Sequence, residues 1–266
     1  MSYTTGLLCA KKAIVLGGSS GVGRAVASAA LAHGTSVVIC SSSQERVNTA
    51  VERLSKGIEG IEGLSVKGRA FDIKDTDSLK ALLTEESPFD HLVITAGDTT
   101  AITNFPHQEI DKHAKNQFES RFWSVIIAAQ HIYKNNLIRS GGSITLTTGS
   151  AHFRPLPGWG VVNGVVSAVE SMTRGLAVDL KPIRVNAIAL GLVDTELYDK
   201  TPPEFKESLF KAHADKVLVN HVGTPEEVAE AYIFAMKASC PVTFWIKYGG
   251  LYELSVSISY WSSHPC

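Results

Sequence analysis

An α/β fold, a parallel β-sheet held between two layers of helices, is what this sequence predicts. Three observations carry the prediction. Short apolar, β-branched runs alternate with longer segments of helical period, the first run opens into a glycine-rich loop before a helix, and the composition is that of a globular chain. Of the 266 residues, 44% are hydrophobic and 19% charged, and the formal net charge is −1. No basic cluster gives nucleic acid an electrostatic footprint, and no segment approaches the roughly 18 apolar residues of a membrane span. The stretch MSYTTGLLCAKKAIVLGG lacks the cationic start, apolar core and small-residue cleavage site of a secretory leader, so a cytoplasmic protein is expected. Cys9, Cys40, Cys240 and Cys266 are scattered and read as free thiols. No metal-ligand spacing such as H-E-x-x-H occurs, so no metal is expected.

AIVLGG (13–18) is the first strand, and RAVASAALAHG after it has the period of a helix. SVVICSS (36–42) is the second strand, followed by the helical QERVNTAVERLSK. HLVITAG (91–97), SITLTTG (143–149) and RVNAIALG (184–191) continue the series, with helical stretches that include SRFWSVIIAAQHI (120–132) and VESMTRGLAVDL (169–180). TPEEVAEAYIFAMKA (224–238) opens with a threonine cap, a proline in the first turn and acids near the positive end of the helix dipole. VTFWIKY (242–248) reads as a last strand. The region 196–222 is the most polar and irregular, and is expected to form an excursion at the carboxyl edge of the sheet, where a substrate lid would sit. With no internal repeat and no low-complexity linker, residues 1–266 read as one domain.

The first strand runs into 17-GGSSGVG-23. Gly17, Gly21 and Gly23 permit a tight turn and a close approach of backbone to phosphate, and the helix that follows favours negative charge at its start. Ser19, Ser20 and Val22 lie in the same loop. A glycine triplet alone also serves a plain strand–helix turn, and the spacing here is G-x-x-x-G-x-G rather than G-x-G-x-x-G. Taken with Asp72 and Ile73 in AFDIKD, TAG at 95–97 and RVNAIALGLVDTE at 184–196, the chain resembles the short-chain dehydrogenase/reductase family over nearly its whole length. The resemblance implies a Rossmann-like, doubly wound parallel sheet in three α/β/α layers. It also implies a bound nicotinamide dinucleotide, with Asp72 and Ile73 near the adenine and with Ala96, Gly97, Gly191, Val193 and Thr195 completing the cofactor site.

NAD-specific sites place an acid after the second strand to hold the ribose 2′-hydroxyl. Here Ser41, Ser42 and Ser43 stand there, followed by Gln44, Glu45 and Arg46. Three hydroxyls and Arg46 suit a 2′-phosphate, so NADP(H) is the expected cofactor; a serine-rich turn capping the next helix is the plainer alternative.

The family's proton-transfer residues are a serine, a tyrosine with a lysine four residues later, and an asparagine on an earlier helix. By resemblance these fall at Gly149, Val162, Val166 and Arg121. The thirteen positions from Gly149 to Val162 match the family's usual serine-to-tyrosine interval, and none of the seven tyrosines has a lysine four residues on. Reducing a ketone creates an alkoxide that needs a proton from a tuned donor, which valine cannot be. Hydride addition to a cationic C=N bond gives a neutral amine with no acid, and asks only for geometry and a fitted pocket.

The stretch GSITLTTGSAHFRPLPGWG, with Arg121 on the earlier helix, resembles an atypical branch of the family that includes fungal reductase/Diels–Alderases of indole alkaloid biosynthesis. Those carry an aspartate three residues before the tryptophan, where this chain has Leu156. The candidate catalytic residues are Arg121, as an orienting or electrostatic group, and Trp159, as a stacking wall for a flat substrate. Each has a structural alternative, a salt bridge at a subunit contact for Arg121 and ordinary packing for Trp159. His152 follows Gly149 closely, yet a lone histidine is more often structural, while strand alternation turns Thr148 and Ser150 away from the direction of Gly149. Two functions remain in view. One is an NADPH-dependent reductase, with or without cyclase activity, acting on a bulky, polycyclic iminium substrate; the other is a non-catalytic dinucleotide-binding sensor or partner subunit. The resemblance also implies a homo-oligomer pairing the helices at 118–137 and 159–180.

Overall fold

The computed structural model describes residues 6–97, 105–153, 155–199 and 201–238. Six strands form one parallel sheet in the order β3-β2-β1-β4-β5-β6. They are β1 (Lys12–Leu16), β2 (Ser36–Ser41), β3 (Val66–Ala70), β4 (Phe89–Ile94), β5 (Ile138–Gly149) and β6 (Arg184–Leu190). The apolar runs have a simple cause. Along β1, Ile14 and Leu16 enter one core while Ala13 and Val15 enter the other, so a sheet covered on both faces leaves no polar position in the run.

Helices α1 (Gly21–Ala32), α2 (Gln44–Lys56) and α8 (Pro225–Lys237) cover one face, and α3 (Thr76–Glu85), α5 (Ser124–Asn135) and α6 (Gly160–Asp179) the other. Their ends follow local chemistry. The Ser43 hydroxyl accepts from the Arg46 N–H to start α2, and Thr224 and Glu227 form a reciprocal capping box at α8. A short helix α4 (Lys112–Phe118) leads into α5 through a π-helical turn, Glu119–Trp123.

Two elements differ from expectation. The sequence VKGRA carries no apolar run, yet forms β3, because an edge strand bonded to β2 alone leaves its three central residues exposed. The region 196–222 is more regular than its polarity suggests. It holds a 3₁₀ turn, Glu196–Tyr198, and the helix α7 (Pro203–Ala214), which buries no residue and so shows little apolar periodicity. The strand expected at 242–248 lies outside the described residues. Among the described residues, no helix is long and apolar enough to cross a membrane.

Candidate active site

The strand order reverses between β1 and β4, and in such sheets ligands bind beyond the carboxyl ends at that point. The loop after β1 is built there from glycines that nothing else could replace. Gly17 has φ +93°, and a Cβ on it would stand 2.6 Å from the Ala96 nitrogen. A Cβ on Gly23 would stand 2.2 Å from the Gly17 carbonyl oxygen. The TAG segment closes the other side, with the Thr95 and Ala96 N–H groups both donating to the Leu16 carbonyl at 2.9 Å. Ser19 is buried, Ser20 and Val22 are half-buried, and Ser20 caps α1 without using its side chain. Backbone N–H groups at a helix start, no acid in the first turn and a serine hydroxyl not spent on the cap fit the diphosphate of a dinucleotide.

The carboxyl ends of β2 and β3 bring the next group together. Ser41 is the last residue of β2, and its carbonyl accepts from Phe71 N–H just before Asp72. Arg46 donates from Nη2 to the Ser42 hydroxyl at 3.4 Å, both exposed, so a cation and a hydroxyl share one spot at the start of α2. Asp72 turns to its own loop, accepting from the Lys74 N–H at 3.0 Å and pairing with the Lys74 ammonium at 3.2 Å. Ile73 points inward to the core.

Arg121 lies in the π-helical turn, an irregularity that re-aims a side chain. Its guanidinium passes directly over Gly97: a Cβ there would be 2.5 Å from Cζ and 2.8 Å from Nε. Between Arg121, Ala96, Leu146 and Thr147 only about 10 Å³ of cavity is left. Gly149 ends β5 facing α6, where its missing Cβ would meet Val166 Cγ1 at 3.4 Å. Val162 and Val166 are both buried. The Thr148 hydroxyl also reaches α6, donating to the Val166 carbonyl at 2.8 Å, so it is not turned away from that helix as strand alternation suggested. His152 is placed on both ring nitrogens, Nδ1 against the Gly149 carbonyl at 2.7 Å and Nε2 beside the Glu170 carboxylate. It ties the end of β5 to α6, which favours the structural reading of this histidine. Trp159 heads α6, half-buried, and Phe105 packs against its neighbour Gly160. The site thus gathers Arg121 with Ala96 and Gly97, and Trp159 is not among the residues lining the small cavity beside Arg121. Leu156 is exposed.

The loop after β6 folds back over the glycine loop. Gly191 follows the strand, Val193 is buried and bridges to Gly223, and the Thr195 methyl would lie 3.2 Å from a Cβ on Gly21. Sequence reasoning did not single out Glu196 or Arg24. Glu196 Oε2 accepts from the Gly21 N–H at 2.7 Å, and Oε1 pairs with Arg24. Partial burial pushes this carboxyl up, but bonds from its own and the Gly21 N–H and from Arg24 outweigh burial and hold it below the usual range. The only signal in the sequence was its place beside Thr195, since the bond spans 175 positions.

Comparison with known proteins agrees with this fold. Residues 4–253 match the family model described as an SDR-like Rossmann domain. The short-chain dehydrogenase/reductase fsr5 of Gibberella fujikuroi is 32% identical over 239 residues, 86% of this chain and 89% of the relative. The solved MalC reductase/Diels–Alderase of Malbranchea aurantiaca superposes with a TM-score of 0.81 at 29% identity, covering 88% of this chain and 93% of that one. A small-chain dehydrogenase solved in complex with NADPH superposes with a TM-score of 0.70 at 29% identity, over 86% of this chain and 92% of its own.

Proposed function

The chain belongs to the short-chain dehydrogenase/reductase family, and on that premise we propose that it is an NADPH-dependent reductase of a C=N bond, acting on a bulky, polycyclic iminium of the alkaloid kind. Bound NADPH would supply the hydride. The observation that carries the reading is the face between β5 and α6, where Gly149 meets Val166 beside buried Val162. If these are the serine, lysine and tyrosine positions, nothing there can protonate an alkoxide. Arg121 does not replace the missing acid: a guanidinium stays charged at any operating pH and offers only donors. Its role is to orient a substrate oxygen beside Gly97. An iminium needs no proton, because hydride addition itself neutralises its charge.

The glycine loop would hold the diphosphate, and Ser41, Ser42, Ser43 and Arg46 the 2′-phosphate. The likeness to MalC, a reductase/Diels–Alderase, extends the proposal to a cyclisation shaped by the same pocket. Exposed Phe205, Leu218 and Val219 on the 196–222 excursion suit a lid over a large apolar substrate. We place the protein in the cytoplasm as a homo-oligomer through α5 and α6, which expose Trp123, Tyr133 and Val178 at or near that face. The test is NADPH consumption with a cyclic iminium against simple ketones. Turnover of the iminium alone supports the reading; robust ketone reduction with matched alcohol product refutes it. Fluorescence titration decides the cofactor, and tighter NADH than NADPH binding sinks that assignment.

A further inference from the structure

Helix α1 has no acid in its first turn and no side-chain cap, so its first N–H groups need a partner from elsewhere. Glu196 supplies it. One carboxylate oxygen accepts from the Gly21 N–H at 2.7 Å while the other pairs with Arg24, so one anion bridges a backbone donor and a guanidinium. That is the pattern in which a phosphoryl group is bound at a helix start. The same turn lies close over the glycine loop, since a Cβ on Gly21 would meet the Thr195 methyl at 3.2 Å.

The turn is also coupled to α7. The Tyr198 ring meets Phe210 edge-on, with centroids 5.4 Å apart. Lys206 pairs with Asp194 at 2.9 Å and lies 5.2 Å from the centre of the Phe210 ring. Residues 194–199 and 201–210 therefore form one connected unit anchored to the cradle through Glu196.

We propose that Glu196 is a self-ligand of the dinucleotide cradle: in the free protein its carboxylate holds the position that a cofactor diphosphate requires, and it must withdraw, with the 194–210 unit, for the cofactor to load. The inference rests on the cofactor reading above. A site open only part of the time binds with its affinity reduced by the open fraction. If the bridged state outnumbers the open one by about ten to one, removing the carboxylate tightens binding about ten-fold.

The experiment is NADPH titration by fluorescence with the intact chain, comparing wild type with Glu196→Gln. Asp199→Asn makes the same charge change on the same segment without touching the cradle. Glu196→Asp keeps the charge but withdraws it by one methylene, so it tightens binding in the same direction and guards against misreading a destabilised fold. Hydrogen exchange without cofactor should be faster in 194–210 for Glu196→Gln than for wild type. Equal or weaker NADPH binding by both Glu196 variants, or an equal gain from Asp199→Asn, overturns the self-ligand. Failure of every variant to bind NADPH overturns the cofactor reading itself.

Discussion

Gly97→Ala tests whether Arg121 acts where the structure puts it. The three atoms nearest the added Cβ all belong to Arg121, at 2.5 Å from Cζ and 2.8 Å from Nε and Nη2. Ordinary carbon contacts begin near about 3.5 Å, so the guanidinium must retreat by about 1 Å. Because it is the far end of a flexible side chain that moves, the fold should survive and Tm should change little. Displacing an orienting group by about 1 Å costs on the order of 10²-fold in turnover, or about 2.7 kcal/mol. Arg121→Ala should lower kcat to a similar degree while leaving NADPH affinity near normal, as expected of a positioning group. The decisive step is the double variant. With Arg121 gone the three closest contacts of the alanine methyl go with it, so Gly97→Ala should cost much less in the double variant than alone, a strongly non-additive cycle. The assay is NADPH consumption with an iminium substrate, with Kd from fluorescence titration and Tm for each variant. A further 10²-fold loss in the double variant, or full activity in Gly97→Ala, would refute the reasoning.

Gly23→Ala places a methyl 2.2 Å from the Gly17 carbonyl oxygen, which is backbone and cannot step aside. Overpacking of this kind costs about 1–3 kcal/mol, so NADPH affinity in titration should fall by roughly five-fold or more; unchanged affinity would exclude the loop as the cradle. His91 is buried against Ser143, and burial, then the charge of Arg184, lowers its pKa from 6.5 to about 4. The unfolded chain takes up a proton that the native state refuses, so this stability is present above pH 6.5 and is lost as the pH falls toward 4. Denaturant unfolding should show wild type losing up to about 3 kcal/mol relative to His91→Gln across that window, and parallel pH profiles would disprove it. Tyr232 is fully buried with its hydroxyl 2.7 Å from the Thr147 hydroxyl. Tyr232→Phe should cost about 1–2 kcal/mol, seen as a Tm drop of a few degrees, and an unchanged Tm would contradict that hydrogen bond.

The sequence by itself determined the fold class, because burial on both faces of a parallel sheet leaves the centres of β1 and β2 as unbroken apolar runs legible without any contact. It determined the glycine loop for a similar reason: Gly17 and Gly23 answer steric demands of one short turn. It also determined that valines stand at 162 and 166, since residue identity is a one-dimensional fact. Tertiary structure decided the rest. The edge strand β3 was invisible because its backbone is recruited by β2 while its side chains stay in water. The helix α7 was obscured because it buries no residue. Arg121 was nameable in the sequence, but its course over Gly97 depends on the π-helical turn that aims it. Glu196 was out of reach altogether. Its partners are Gly21 and Arg24 at the far end of the chain, and the contact exists only because the loop after β6 returns over the start of α1. Local pattern encodes which faces are buried and which turns are tight. It does not encode which distant carboxylate reaches an empty helix start, because that depends on how the packed strands and the loop after β6 bring the two ends together.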